Sequence, residues 1–409
     1  MKKVSYRKAK KWRLAFVRAA ANLAAGIVKF AFGNKIIKKT QVDYSQNYLI
    51  LCTHGSGLDI LHAMAALKGL DFTVVAARKL FYSKLGGPLL RMFDAIPKKQ
   101  YAVDLAAMRM IKNAAERGES VFLCPEGRST PDGVNGYISP AVSKLIKWLG
   151  LPVIFVNPKG SYLSYPRWRR IPRFGRMTTD VELMLTKREA REFSNDAIYE
   201  RVTKFFTFND YDYQINERLK FFTLSPAKEI QRLLFVCPSC KSLTDMTSTN
   251  KTVFCKACDC TATVNLDATL DFRGEKYFSR IDEWIAFQKK EIAKIVAEPG
   301  FSYSVDAKLL FENDENNSYK KIADGAFGIS RAGVSFKVSA FADSAAENEY
   351  GEKYSEIFYP AKNLTGLSYD KAGLELYAYE STQKYKFTSD VVIYRINLMI
   401  ESVFRLSKI

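Results

Sequence analysis

The chain has 409 residues, of which 47% are hydrophobic and 13% are aromatic. This length and composition predict two or three folded domains and exclude a mainly disordered chain. The formal net charge is +19, but it is unevenly distributed, since residues 1–42 hold twelve Lys or Arg and no acid, whereas residues 270–409 hold 19 basic and 21 acidic residues. We therefore expect an anionic partner to meet the N-terminal two-thirds of the chain.

Residues 1–39 combine a basic cluster with an Ala-rich helical stretch from Leu14 to Phe32. The uncharged run from Ala19 to Val28 is shorter than the roughly 20 residues that a bilayer span needs. A basic amphipathic helix lying on an anionic membrane surface is one interpretation, and a helix packed on the domain is the other. One helix face is predicted to be polar, with Lys11, Arg18, Asn22 and Lys29.

The stretch from Thr53 to Asp59 follows an apolar run that predicts a buried strand. Its glycines allow a sharp turn into a helix from about Leu58. His54 then lies on the turn and Asp59 lies in the first helical turn, where its carboxylate can hold one ring nitrogen of His54 and leave the other to act as a general base. The alternative is a capping box formed by Ser56 and Asp59, which needs no chemistry.

Further strands and helices alternate up to about Thr186, which predicts an α/β domain. A strand over residues 71–77 comes first. A helix over 108–117 and a strand over 120–124 then lead into the turn Pro125-Glu126-Gly127-Arg128-Ser129. A helix over 141–149 is ended by Gly150, and the apolar run Leu151–Val156 returns to the sheet.

The His-x4-Asp spacing of His54 and Asp59 resembles the first motif of the glycerolipid acyltransferases, the family that includes 1-acyl-glycerol-3-phosphate acyltransferase. The turn at Pro125–Ser129 is similar to that family's Pro-Glu-Gly-x-Arg-Ser signature, and Leu151–Val156 is similar to its final apolar motif. The three motifs occur in the family's order. The resemblance covers residues 40–190.

The resemblance implies acyl transfer from acyl-ACP or acyl-CoA to the hydroxyl of a lysophospholipid, with 1-acyl-sn-glycerol-3-phosphate as the first candidate acceptor. His54 would be the general base and Asp59 its orienting partner. Other acceptors, such as glycerol-3-phosphate or a lysolipid without phosphate, and an inactive membrane-bound scaffold remain alternatives.

The resemblance also implies an acceptor site. In the family, the segment corresponding to residues 93–100 ends in an arginine thought to hold the acceptor's phosphate, but Gln100 stands there in this chain. Lys98 or Lys99 could supply the charge, or both could be solvated. The signature turn contributes the remaining expected substrate-binding residues, Glu126, Gly127, Arg128 and Ser129.

Within the signature turn, Arg128 stands one position earlier than the family's arginine and offers a bidentate donor for phosphate. Glu126 would bind the acceptor or order the loop, and a simple ion pair between the two side chains is the alternative.

A basic segment with aromatic residues spans residues 166–176. It could lie on phosphate headgroups, with Trp168 at the interface, or receive an acidic acyl carrier protein, or remain a solvated loop.

Four cysteines in two Cys-x2-Cys pairs predict a zinc ribbon: Cys237, Cys240, Cys255 and Cys258. Two such turns present four thiolates, which close a tetrahedral shell, so we expect a structural Zn2+ ion. Cys260 is an alternative to Cys258. Three lysines against two aspartates between residues 237 and 260 are a poor footprint for a polyanion, so nucleic acid is not expected as a partner.

Residues 269–300 predict a connecting helix ended by Pro299-Gly300, and residues 301–409 predict short strands followed by one helix. This pattern resembles a pleckstrin-homology-like domain. The expected organisation is thus a membrane-interface helix (1–39), an acyltransferase domain (40–228), a zinc ribbon (229–268), the connecting helix and the C-terminal α+β domain. With no cleaved signal peptide apparent, we expect a cytoplasmic protein, peripheral on the inner face of the membrane.

Overall fold

The structure is a computed structural model that describes residues 11–84, 86–100, 103–313, 318–364, 368–369, 373–378, 381–388 and 391–408. The chain forms two compact units, residues 1–223 and residues 224–409. The basic residues from Lys2 to Lys10, which the sequence places ahead of the first helix, lie outside the described residues.

The first unit is built on a seven-stranded sheet in the order β1-β7-β6-β2-β5-β3-β4. All neighbouring strands pair in parallel except β6 and β7, which are antiparallel. The strands are β1 (Lys35–Lys38), β2 (Leu49–Cys52), β3 (Phe72–Ala77), β4 (Ile96–Lys98), β5 (Ser120–Leu123), β6 (Val153–Lys159) and β7 (Thr178–Leu185).

Helices cover both faces of this sheet, because the side chains of its central strands alternate between two apolar clusters. In β2, Leu49 and Leu51 face one cluster, and Ile50 and Cys52 face the other. The helices are α1 (Lys11–Ala31), α2 (Asp59–Ala66), α3 (Gly86–Met92), α4 (Leu105–Glu116), α5 (Ala141–Leu149), α6 (Ser161–Ser164), α7 (Lys187–Glu192), α8 (Asn195–Phe205) and α9 (Asp210–Asn216).

Helix α1 packs against α2 and also meets α3. Val17 and Ala25 are buried on the packed side, and Arg18 forms an ion pair with Asp71 at 2.7 Å. Leu23, Ile27 and Phe30 recur at helical spacing and remain exposed, with Phe30 90% exposed. One side of α1 therefore packs on the domain, as the second interpretation of the sequence predicted. Among the described residues, no helix is long and apolar enough to cross a membrane.

The second unit begins with a four-stranded antiparallel sheet in the order β11-β10-β9-β8. Its strands are β8 (Met246–Ser248), β9 (Thr252–Cys255), β10 (Thr261–Val264) and β11 (Leu270–Phe272). Helix α10 (Ile281–Ala297) is anchored to the segment just before the first cysteine pair. The buried Trp284 donates from Nε1 to the Val236 carbonyl at 2.8 Å, and Gln288 donates to the Leu233 carbonyl at 2.7 Å.

The rest of the second unit is a seven-stranded antiparallel sheet and two helices. Strand β12 pairs with both β13 and β18. The strands that come first and last along the chain are therefore neighbours in the middle of this sheet. The sheet order is β15-β14-β13-β12-β18-β17-β16. The elements are β12 (Ser302–Asn313), β13 (Ser318–Ser330), β14 (Gly333–Phe341), α11 (Ser344–Tyr354), β15 (Glu356–Pro360), β16 (Ser368–Tyr369), β17 (Gly373–Ala378), β18 (Ser381–Phe387) and α12 (Ile393–Leu406).

Helix α12 is buried over most of its surface, including Ile396, Met399 and Val403. Strands followed by one C-terminal helix are what the pattern predicted, whereas α11 was not expected. The pleckstrin-homology-like description of this region stays a prediction.

Candidate functional site

The site lies at the edge of the first sheet where five parallel strands end. In open α/β sheets, ligands bind outside the carboxyl ends of such strands. His54 follows β2, Glu126 follows β5, Lys98 ends β4, and Ser161 follows β6, which runs parallel to β2. The sheet therefore brings to one edge residues that are far apart in the sequence.

His54 and Asp59 form a hydrogen-bonded pair at this edge. Their Nδ1 and Oδ2 atoms are 2.9 Å apart. Asp59 is only 1% exposed, whereas the His54 side chain keeps 28% of its surface. The buried carboxylate thus holds one ring nitrogen, and the imidazole remains accessible to a reactant.

The pKa of His54 reflects opposing influences. Burial disfavours the charged ring and lowers the pKa, but the neighbouring Cys124, Asp59 and Glu126 outweigh it and raise the pKa to about 9. At neutral pH the free site therefore holds mainly an imidazolium, and the neutral base becomes more abundant as the pH rises towards 9.

Half of the capping box that the sequence allowed is present. Asp59 Oδ2 accepts from the Ser56 backbone N–H at 2.9 Å, while Ser56 Oγ accepts from the Leu58 N–H rather than from the Asp59 N–H. The same carboxylate oxygen also meets His54, but the N-cap of α2 is Leu58, and no side chain caps the helix there.

Ser161 is a contact of Asp59 that sequence reasoning missed. Its hydroxyl donates a hydrogen bond to Asp59 Oδ1 and lies 2.8 Å from Ser56 Oγ. Gly55 permits this approach, because a Cβ there would stand 2.9 Å from the Tyr162 nitrogen and 3.1 Å from Ser161 Cβ. In the sequence, Gly160 and Ser161 come directly after the apolar run of β6. This position at the end of a central strand is the signal that could have indicated Ser161 as a site residue.

Glu126 joins the signature turn to the His54 turn. Its Oε1 accepts from the His54 backbone N–H at 3.0 Å, and its Oε2 accepts from the Gly136 N–H at 2.7 Å. Burial raises the pKa of Glu126, although these backbone bonds act against that rise. Of its two expected roles, these contacts favour ordering the loops.

The rest of the signature turn is also tied to its surroundings. Gly127 has a φ of +73°, a region that favours glycine. Its carbonyl accepts from Gln100, and the carbonyl of Ser129 accepts from Arg167 at 3.0 Å. Arg128 is half-buried on the same turn. The Gln100 contact brings the end of β4 against the turn.

Lys98 and Lys99 lie at the end of β4, and both are half-buried. The Lys98 ammonium donates to the Lys99 carbonyl at 3.0 Å, and burial lowers the pKa of Lys98. The Lys99 backbone N–H donates to Asp104 at 2.8 Å. Neither lysine is the fully solvated side chain of the alternative interpretation, and both residues lie at the same sheet edge as His54.

The expectation that Trp168 lies at a membrane interface is wrong. Trp168 is only 4% exposed, and the guanidinium groups of Arg169 and Arg173 lie 5.5 and 5.2 Å from its ring. Burial lowers the pKa of Arg173 to about 10. The aromatic face stabilises these cations inside the unit, so part of the basic segment is internal.

In the second unit, Cys237, Cys240, Cys255 and Cys258 form one cluster whose sulfur atoms all lie within 4.8 Å of one another. The sulfurs of Cys237 and Cys258 are 3.5 Å apart, and those of Cys240 and Cys255 are 3.7 Å apart. Tetrahedral zinc bonds of about 2.3 Å require sulfur separations of about 3.8 Å. The four thiols could therefore bind a metal ion, and Cys258 rather than Cys260 completes the set.

One family model matches part of the first unit. Residues 34–156 match the family model described as Acyltransferase. This stretch contains the His54–Asp59 pair and the signature turn, and it is similar to acyltransferase domains. The match confirms that this part of the chain resembles acyltransferases.

One similar solved structure is the 1-acyl-sn-glycerophosphate (LPA) acyltransferase PlsC from Thermotoga maritima. It shares 15% sequence identity with this chain, with a TM-score of 0.38, and the alignment covers 49% of this chain and 83% of that chain. The likeness is too distant to assign a substrate. A search of curated proteins finds no significant match.

Metal removal tests the cysteine cluster. Because four thiolates would complete the shell of a structural ion, we expect about one zinc per chain by elemental analysis, and loss of the ion should lower the melting temperature. A Cys237→Ser/Cys240→Ser double variant should contain no stoichiometric zinc. A Cys52→Ala/Cys260→Ala variant is the control and should keep the metal; a metal-free wild-type protein purified without chelator would contradict the assignment.

Proposed function

We propose that this protein is a glycerolipid acyltransferase that moves an acyl group from a thioester donor, acyl-ACP or acyl-CoA, to the hydroxyl of a lysophospholipid. The observation that carries the proposal is the contact of the accessible His54 imidazole with the buried Asp59 carboxylate. It lies within the stretch that matches the acyltransferase family.

The arrangement is suited to base catalysis. With Nδ1–H donated to Asp59, the neutral ring presents an unprotonated Nε2. Nε2 takes the proton of the acceptor hydroxyl as its oxygen attacks the thioester carbon. The carbon–sulfur bond then breaks, and the imidazolium returns the proton to the leaving thiolate, so that an ester and a free thiol are formed.

The acceptor that fits best carries a phosphate, and we propose 1-acyl-sn-glycerol-3-phosphate, which would give phosphatidic acid. Support comes from three basic residues at the same sheet edge: Lys98 and Lys99 at the end of β4, and Arg128 on the turn after β5. A guanidinium can bind phosphate through two parallel hydrogen bonds. Gln100, in place of the family's arginine, contacts the Gly127 carbonyl instead.

Acyl transfer by purified protein tests this function. Wild-type protein should release free thiol and form phosphatidic acid from 1-acyl-glycerol-3-phosphate with an acyl-ACP or acyl-CoA donor. A His54→Ala variant should lose at least about a hundredfold in kcat, because it lacks the general base.

The same assay discriminates the other possibilities. Faster transfer to glycerol-3-phosphate or to a lysolipid without phosphate would contradict the proposed acceptor. If no acceptor in the panel leads to thiol release by wild-type protein, the scaffold interpretation replaces the enzymatic one.

We also propose that the first unit binds an anionic membrane as a peripheral protein on the cytoplasmic side. Leu23, Ile27 and Phe30 form an exposed apolar stripe on α1, and Leu89 and Met92 are exposed on the contacting helix α3. Exposed apolar stripes with basic flanks are typical of helices that lie in the membrane interface.

Vesicle cosedimentation tests this membrane surface. Wild-type protein should bind vesicles rich in phosphatidylglycerol, and Phe30→Asp should weaken binding at least about tenfold, since burying a phenylalanine contributes about 1.5–3 kcal/mol. The matched control is Trp148→Asp on α5, where the tryptophan is also exposed but belongs to the other helical layer. Equal losses in the two variants would contradict the proposed surface.

A further inference from the structure

We propose that Ser161 is a positioning residue for the acyl-transfer site, because its hydroxyl fixes the buried Asp59 carboxylate in the orientation that it offers to His54. The inference rests on the proposed role of His54 as the general base. It adds to that site a residue 102 positions away from Asp59 in the sequence.

The hydrogen bonds of Asp59 divide between its two oxygens. Oδ2 accepts from His54 Nδ1 and from the Ser56 backbone N–H, each at 2.9 Å. Oδ1 accepts from the Ser161 hydroxyl. With donors on both oxygens, rotation of the carboxylate would break at least one hydrogen bond, so Ser161 restrains the oxygen that faces His54.

Because the contact between Ser161 and Asp59 is buried, its loss would be costly in free energy. Ser161, Ser56 and Asp59 are all almost completely buried. A buried carboxylate oxygen that loses its donor retains the full cost of its removal from water. Because Ser161 Oγ–H points to Asp59, Ser161 Oγ can accept from the nearby Ser56 hydroxyl, which extends the chain of donors towards the carboxylate.

A second buried carboxylate fixes the position of Ser161. Asp210 accepts from the backbone N–H groups on either side of Ser161, Gly160 at 2.7 Å and Tyr162 at 2.8 Å. Gly160 has a φ of +85°, which allows the chain to turn sharply out of β6. These bonds hold the turn after β6 against α9, on which Asp210 lies, and they restrain the backbone on both sides of Ser161.

The Ser161 hydroxyl should also affect the pKa of His54. The positive end of the Ser161 hydroxyl dipole faces Asp59 and offsets part of the negative potential that the carboxylate exerts on His54. Removal of the hydroxyl should therefore stabilise the imidazolium and raise the pKa of His54. A residue with only a packing role would change stability without this shift.

NMR titration of the histidine ring signals measures this effect without turnover. The chain has only two histidines, and the His54→Ala spectrum assigns the signal of His54. In Ser161→Ala we expect the His54 pKa to rise by about half a unit to one unit above the wild-type value. Ser161→Cys replaces the hydroxyl with a slightly larger thiol that donates weakly, so it should shift the pKa in the same direction and serves if the alanine variant fails to fold.

Ser143→Ala is the matched control, since Ser143 is also a buried serine, but it lies on α5 and donates to the carbonyl of Pro140, the N-cap of that helix. It should leave the His54 titration unchanged. In the acyl-transfer assay, Ser161→Ala should lower kcat about tenfold or more with a smaller change in KM, because the base is misplaced while the acceptor cations remain.

The outcomes separate this inference from the proposed function. A folded Ser161→Ala protein with a wild-type His54 pKa and kcat, beside an inactive His54→Ala protein, would overturn the positioning role and leave the proposed function intact. If wild-type protein transfers no acyl group to any acceptor, the proposed function fails and the positioning role fails with it.

Discussion

The buried carboxylate of Asp59 is the constraint on which the site depends. A charge at 1% exposure must be matched by donors, and three residues from two turns of the chain supply them. His54 comes from the turn after β2, Ser56 from the entry to α2, and Ser161 from the turn after β6. In this arrangement Nδ1 of His54 contacts Asp59, while the imidazole stays accessible at the sheet edge.

The local parts of this arrangement could be predicted from the sequence. The spacing of His54 and Asp59 spans a single turn, so strand and helix signals were sufficient to place them together. The same holds for the two Cys-x2-Cys pairs, in which each turn presents two thiols. Both sets of residues are close in the sequence, and local geometry decides their contacts.

Contacts set by sheet order could not be predicted in the same way. Ser161 reaches Asp59 because β6 pairs with β2, and Glu126 reaches the His54 turn because β5 pairs with β2 on its other side. Trp168 was placed wrongly because basic residues beside an aromatic residue fit a membrane surface as well as internal stacking. Burial, which decides between the two, depends on distant parts of the chain. In the second unit, likewise, the pairing of β12 with β18 joins residues that are 72 to 80 positions apart.

The central claim is that His54 and Asp59 act as one chemical unit, and a double-mutant measurement of kcat/KM tests it most directly. If Asp59 acts through His54, adding Asp59→Ala to His54→Ala should cost almost nothing beyond the single His54→Ala substitution, because residues that act as a unit are strongly non-additive. If the two losses in kcat/KM multiply, so that their free energies add, Asp59 does not act through His54 and the account is contradicted.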